Sequence, residues 1–264
     1  MRSTSLTPII SVAVTIAALL TLFAVGFSHP KSDMVAASPA AHTSDNEPVS
    51  TPDSDIPAPD PDVIVGSAQD GPGKRVALTF DDGPDPTWTP QVLDFLAEHH
   101  VKATFCLIGT NAKRYPDLVR RIVDEGHALC DHTMTHDQNL KDKPAAAMRA
   151  EIAGAKRAIL DAVPDAQVRY YRAPEGAFSP KGAHPSMQQI AADSGMQPLA
   201  WKADPEDWTK PGVRVIVERV QQQVGEDGVV LMHDGGGDRS QTLAALDQLI
   251  PWFNDLGYRF VFPA

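Results

Sequence analysis

From Lys74 to the C-terminus, short apolar runs alternate with amphipathic stretches. RVALTF (75–80), ATFCLIG (103–109), HALCDHT (127–133), VRYYR (168–172), QPLAW (197–201), VVLMHD (229–234) and YRFVF (258–262) read as strands. Such runs suit strands covered on both faces. Between them lie helical periods. QVLDFLAEHH is predicted to be capped by Thr89, with Pro90 at its first position, and PDLVRRIVDEG (116–126) ends at Gly126. AAAMRAEIAGAKRAILDAV (145–163) stops at Pro164, and further helices are predicted at 185–194, 213–224 and 242–253. Strand and helix in alternation demand parallel pairing through crossover helices. The expected fold is therefore α/β, a distorted (β/α) barrel of about seven parallel strands. Polar positions favour the barrel over an open sheet. Asp81, Asp82, His132, Arg172, Asp204 and His233 each fall at or just after a strand's C-terminal end, where barrel active sites collect. An open sheet would gather its site nearer one switch point.

The N-terminal part has a different pattern. Leu6 to Phe27 is 22 residues without a charge, enough to cross a hydrocarbon core of ~30 Å. Residues 1–27 therefore read as a membrane anchor or a signal segment. Arg2 precedes the span, so the rest of the chain is expected outside the cytoplasm, membrane-anchored or secreted. Residues 28–70 contain Pro30, Pro39, Pro48, Pro52, Pro57, Pro59 and Pro61 among Ala, Ser and Asp, and few large apolar side chains. They cannot bury enough surface to offset ordering entropy, and a disordered tether is expected. Residues 71–264 would then be the catalytic domain.

Charge sharpens this division. The 264-residue chain has net charge −11, which argues against a nucleic-acid partner. Residues 1–27 contribute +1, 28–70 contribute −7 and 71–264 contribute −5. Most of the acidity belongs to the tether.

The candidate chemistry begins with His132 and His136 in DHTMTHDQN, beside Asp81-Asp82 on a neighbouring strand end. An HxxxH pair alone is a weak signal, and paired aspartates are often only a turn. Together, two histidines and one aspartate make an open three-ligand metal site. The same set serves non-haem iron oxygenases, so a redox task stays open at this point. Only one aspartate is needed as a ligand, which frees the other to act as a base. Arg172 can pair with that carboxylate and keep it ionised. His233 is the remaining histidine at a strand end and a candidate acid, oriented by Asp207 or Asp204. A hydrogen-bonded core role is its plainer alternative.

TFDDGP (79–84), HTMTH (132–136), RAPEG (172–176), DPEDW (204–208) and LMH (231–233) resemble, in order, the five motifs of the NodB-type polysaccharide deacetylases, carbohydrate esterase family 4. The resemblance covers residues 74–264. It implies metal-assisted removal of N-acetyl groups from polymeric sugars. Carried over by motif, it implies Asp81 as base, with Asp82, His132 and His136 holding zinc, Co2+ or another divalent ion. Arg172 would hold Asp81, and His233 would be the acid with Asp207 its partner. Trp208 and Leu231 would line the acetyl slot, and the backbone N–H of Glu175 would stabilise the oxyanion. Many members have an aromatic residue where this chain has Glu175.

The expected partner is an N-acetylated glycan polymer, with peptidoglycan N-acetylglucosamine first and chitin or acetylxylan behind it. A membrane is a further partner if residues 6–27 are retained. The rival from another class is a catalytically silent glycan-binding domain. Cys106 and Cys130 lie on successive strands and are expected either as a disulfide or as two buried thiols. His99 and His100 are expected at the surface near a helix end. His29 and His42 fall in the tether and His184 in a loop.

Overall fold

Residues 60, 65–179 and 185–264 are described in the computed structural model. The expected anchor, most of the expected tether and His184 lie outside the described residues. Among the described residues seven strands form: β1 (Arg75–Asp81), β2 (Thr104–Leu107), β3 (Ala128–Asp131), β4 (Val168–Tyr171), β5 (Gln197–Pro198), β6 (Asp227–His233) and β7 (Arg259–Phe260). All their pairings are parallel, in the order β5-β4-β3-β2-β1-β6, with β7 against the first half of β1 and β2 against its second half. The sheet curls into a distorted barrel. Its two ends are joined by isolated bridges, with Ala203 meeting Val230, Val65 meeting Leu199 and Ser67 meeting Gly228.

Helices α1 (Trp88–Glu98), α2 (Gly109–Arg114), α3 (Pro116–Asp124), α4 (Ala145–Ala162), α5 (Met187–Asp193), α6 (Val213–Gln223) and α7 (Ser240–Asp255) supply the crossovers. The alternation of side chains along each strand divides the core in two. Val76, Leu78 and Phe80 of β1 pack in the large cluster with helix residues such as Leu93, Ile122 and Leu249. Ala77, Cys106, Cys130, Tyr170 and Val229 form a smaller cluster with Val65 and Leu199. Asp81, His132, Arg172 and His233 share the strand parity of this smaller cluster. The two-residue period thus aims four polar side chains toward one end of the barrel interior. Cys106 and Cys130 are register partners on that face and are joined as a disulfide.

Four local expectations change. Residues 65–70 fall in the expected tether, yet Val65 and Ala68 are buried and bridge the barrel, so the folded unit reaches back at least to Val65. Helix α1 starts at Trp88, one residue before the expected cap. Thr89 is instead buried in its first turn, donating to Asp234 Oδ2 at 2.5 Å and accepting from Asp85 N at 2.7 Å. Helix α2 was not foreseen. It is six residues long, and its Gly109 packs so closely on Met134 and Ala155 that a Cβ would fall 2.6 Å from the Met134 sulfur. Strand β5 is two residues long, although Leu199 N still donates to Tyr171 O of β4 at 2.8 Å.

Candidate active site

Asp81 ends β1 and is nearly inaccessible. Arg172 Nη1 donates to its Oδ1 at 2.7 Å and to Thr79 Oγ1 at 2.8 Å, while Nη2 reaches Ala200 O at 3.1 Å. The guanidinium also lies 5.5 Å from the centre of the Trp201 ring. Burial opposes ionisation of Asp81. The opposing charge of Arg172, joined by its hydrogen bond, leads the effects that outweigh it, and the carboxyl is held below its ordinary range. Asp81 Oδ2 is turned away from Arg172 toward the cavity, 3.6 Å from His132 Nε2.

Asp82 departs from strand geometry. Its φ is 73°, and Gly83-Pro84 follows with a cis peptide. Asn111 Nδ2 donates to Asp82 O at 3.0 Å, and Ile108 N to Gly83 O at 2.9 Å, which fixes the turn. Asp82 Oδ1 consequently sits 3.6 Å from His132 Nε2 and 3.5 Å from His136 Nε2. The two histidines are placed by a second unusual turn. Thr133 has φ 65° and His136 φ 56°; Thr133 N donates to Asp131 Oδ1 at 2.8 Å and His136 N to Thr133 Oγ1 at 3.1 Å.

A divalent ion fits this group. One ligand atom from each of Asp82, His132 and His136 lies within 4.8 Å of the others. Asp82 Oδ1 is buried with no hydrogen-bond partner. His132 Nδ1 is 2.8 Å from Arg172 O, which makes Nδ1 the donor and leaves the Nε2 lone pair facing the group. Burial pushes the His132 pKa down, favouring the neutral ring that a metal requires.

Across the cavity, His233 ends β6. Its Nδ1 is 2.7 Å from Asp207 Oδ1, and its backbone N–H donates to Asp207 Oδ2 at 3.0 Å. Thr242 of α7 donates to the same Oδ2 at 2.6 Å. Burial alone would lower the His233 pKa, but the Asp207 hydrogen bond and charge, with Asp81 and Asp82, raise it to about 9. Asp207 rather than Asp204 is the carboxylate bonded to His233, and Asp204 Oδ1 instead accepts from Glu206 N at 2.9 Å.

These groups line one cavity of about 460 Å³ with Glu175, Trp201, Trp208, Leu231 and Arg239. Trp208 is 52% exposed at the rim, whereas Leu231 is buried. Glu175 is held in a left-handed turn, φ 55°, and Gln138 Nε2 donates to its Oε1 at 3.0 Å. Every residue singled out in the sequence as catalytic, metal-holding or substrate-facing is here, with Arg172 and Asp207 packed behind Asp81 and His233. Asp131, Asn111, Asp234 and Arg239 were not singled out. The first two support the ligand turns. The last two belong to the DGGGDR run after His233, whose three glycines were the available signal.

Comparison with known proteins gives the same picture. The family model described as polysaccharide deacetylase matches residues 68–199. A chitooligosaccharide deacetylase of Sinorhizobium fredii is 42% identical over 193 residues, 69% of this chain and 87% of the relative. A peptidoglycan-N-acetylglucosamine deacetylase of Bacillus cereus is 40% identical over 192 residues, 71% of this chain and 85% of the relative. Among solved structures, the Bc1960 peptidoglycan N-acetylglucosamine deacetylase, in complex with an N-oxidanyl-benzamide, matches with TM-score 0.67 and 32% identity. That match covers 75% of this chain and 89% of Bc1960. A carbohydrate esterase family 4 pseudoenzyme from Bacillus anthracis matches with TM-score 0.64 and 30% identity, over 71% and 63% of the two chains. Motif order, barrel parity and these matches agree: the chain belongs to the polysaccharide deacetylase family.

Proposed function

We propose that the chain hydrolyses the N-acetyl amide of N-acetylglucosamine units in peptidoglycan. The observation that carries the reaction is the division of labour between adjacent aspartates. Asp81 is bound by Arg172 on one oxygen and open on the other, whereas Asp82 turns a bare oxygen to two histidines. Asp82, His132 and His136 would hold a divalent ion, with zinc the first choice and Co2+ a second. When bound, the ion supplies Lewis acidity and makes a water acidic enough to react near neutral pH.

The protein's own groups do the rest. Asp81 Oδ2 accepts a proton from the attacking water, whose oxygen bonds to the acetyl carbon. Arg172 keeps Asp81 ionised beforehand and fixes the direction of its free oxygen. The backbone N–H of Glu175, which donates to no acceptor among the described residues, is available to the carbonyl oxygen as it gains charge. His233, held protonated by Asp207, gives its Nε2 proton to the amide nitrogen. The C–N bond then breaks to release acetate and the sugar amine. Trp208 and Leu231 bound the space for the acetyl methyl.

Peptidoglycan is chosen because a relative of that name is 40% identical and because residues 6–27 and their tether suit a protein held in the cell envelope. The Cys106–Cys130 disulfide supports an extracytoplasmic location. Chitooligosaccharide is the second reading, favoured by the name of the 42% identical relative. Acetate release from peptidoglycan, chitohexaose and acetylxylan, measured side by side, separates the substrates. Glycan binding with bound metal and no acetate from any of them would show a silent domain instead.

A further inference from the structure

The run Gly235-Gly236-Gly237-Asp238-Arg239 leads from His233 and Asp234 into α7. Arg239 is 4% exposed. Its Nε donates to Gly235 O at 2.6 Å. Among the described residues its terminal amino groups reach no hydrogen-bond acceptor and no carboxylate close enough for an ion pair, yet Arg239 lines the active-site cavity. A buried cation with no carboxylate in contact is costly, and the nearby Asp82 and Asp238 do not hydrogen-bond it. The reason for keeping it lies in its position. A Cβ on Gly236 would fall 2.6 Å from Asp82 Oδ2 and 3.2 Å from Arg239 Nη2, so only glycine lets both side chains approach this loop. Gly236 and Gly237 both have positive φ, 73° and 146°, and among the described residues their N–H groups donate to no protein acceptor. The N-terminus of the 16-residue α7 follows at once.

A guanidinium with free donors, two unpaired backbone N–H groups and a helix N-terminus all favour an anion. The other ionisable rim residues, Glu175, Asp204 and Glu206, are acidic. We infer that Gly236, Gly237 and Arg239 form a carboxylate-binding subsite beside the candidate metal group. Resting on the deacetylase reading, the carboxylate has two sources. One is the acetate that hydrolysis releases. The other is a carboxylate carried by the glycan, such as the lactyl ether of a muramic acid unit next to the sugar being deacetylated. A guanidinium can meet either with paired hydrogen bonds.

The first test needs no metal and no turnover. Metal-stripped full-length protein is titrated with ¹³C-acetate and with stem-peptide-free peptidoglycan glycan strands, observed by NMR. At least one binds the wild type and is weakened about 10–100-fold in Arg239→Gln, the range for losing a hydrogen bond to a charged group. Arg239→Lys, which keeps the charge, recovers part of the affinity, and thermal melts show that both variants are folded. With metal restored, weaker acetate inhibition of Arg239→Gln assigns the subsite to product. A loss of kcat/KM about tenfold or more larger on the glycan strands than on chitotetraose assigns it to the substrate. Equal binding of both probes by wild type and Arg239→Gln overturns the subsite and leaves Arg239 as a staple on Gly235. Absence of acetate release from every glycan overturns the deacetylase reading, while the metal-free titration still decides the subsite.

Discussion

The two ends of the barrel each hold a cavity of similar size, and volume does not tell which one carries the chemistry. At the N-terminal ends of the strands, Lys74, Arg75, Lys202, Glu226 and Asp227 surround about 570 Å³. At the C-terminal ends, about 460 Å³ is lined by Asp81, Asp82, His132, His136 and His233. Charge is treated differently at the two ends. Lys202 meets Asp227 at 2.7 Å with both side chains more than a third exposed. Arg172 meets Asp81 at the same distance with both almost wholly buried. In the first case water screens the pair, and in the second the protein alone sets the protonation states. Volume marks a hollow, whereas desolvated and incompletely paired charge marks a reacting site.

The difference can be attacked in order of expected size. His233→Ala should depress turnover of N-acetyl substrates by about 10²–10⁴-fold, the range for a general acid. Esters with good leaving groups need little protonation and should lose far less. Equal losses on both, measured by acetate release, would reassign His233 to structure. Arg172→Met should leave Asp81 as a buried charge without its partner and cost about 3–5 kcal/mol in urea unfolding. A loss under about 1 kcal/mol would mean that the C-terminal end is as well solvated as the other.

His127 is the exception that sharpens the contrast, being buried just before β3 at the opposite end. Its Nδ1 accepts from Ala103 N at 3.1 Å, and burial, with Lys102 and Arg121 nearby, lowers its pKa to about 4. The folded state therefore refuses a proton that the unfolded chain takes near its ordinary pKa of about 6.5. This contribution to stability is full above about pH 6.5 and is lost as pH falls toward 4, by about 3 kcal/mol. His127→Asn keeps an acceptor for Ala103 N. The difference in unfolding free energy between pH 7 and pH 4.5 should shrink in this variant by that order. An unchanged difference would remove His127 from the account. The smallest effect is expected from Lys202→Ala, under about 1 kcal/mol, because its ion pair is exposed. A larger loss in the same urea assay would show that this end is also built on buried charge.

Much of this was legible in the sequence, for reasons visible in particular residues. Strands buried on both faces leave long apolar runs, and parallel pairing brings their C-terminal residues together, so Asp81, His132, Arg172 and His233 could be gathered from a linear pattern. Asp207 was legible only through the family resemblance, since the residues alone left Asp204 beside it. In the structure the 3₁₀ turn at Asp207–Thr209 brings Asp207 Oδ1 to His233 Nδ1. Helix α2 was hidden because its packing rests on Gly109 and Ala112, too small to make a hydrophobic stripe. Val65 was lost in a proline-rich stretch, although Val63-Ile64-Val65 is an apolar triplet there. Arg239 was missed because nothing in a linear pattern shows that a guanidinium lines a cavity with its terminal amino groups.

The central claim is that adjacent aspartates do different work, Asp82 holding metal and Asp81 accepting a proton. Metal stoichiometry and acetate release, measured together on Asp81→Asn and Asp82→Asn, test it most directly. Asp81→Asn should keep near-wild-type metal content while turnover falls about 10²–10⁴-fold. Asp82→Asn should lose metal and regain part of its activity when metal is added in excess. Loss of metal from Asp81→Asn with retention in Asp82→Asn would contradict the account.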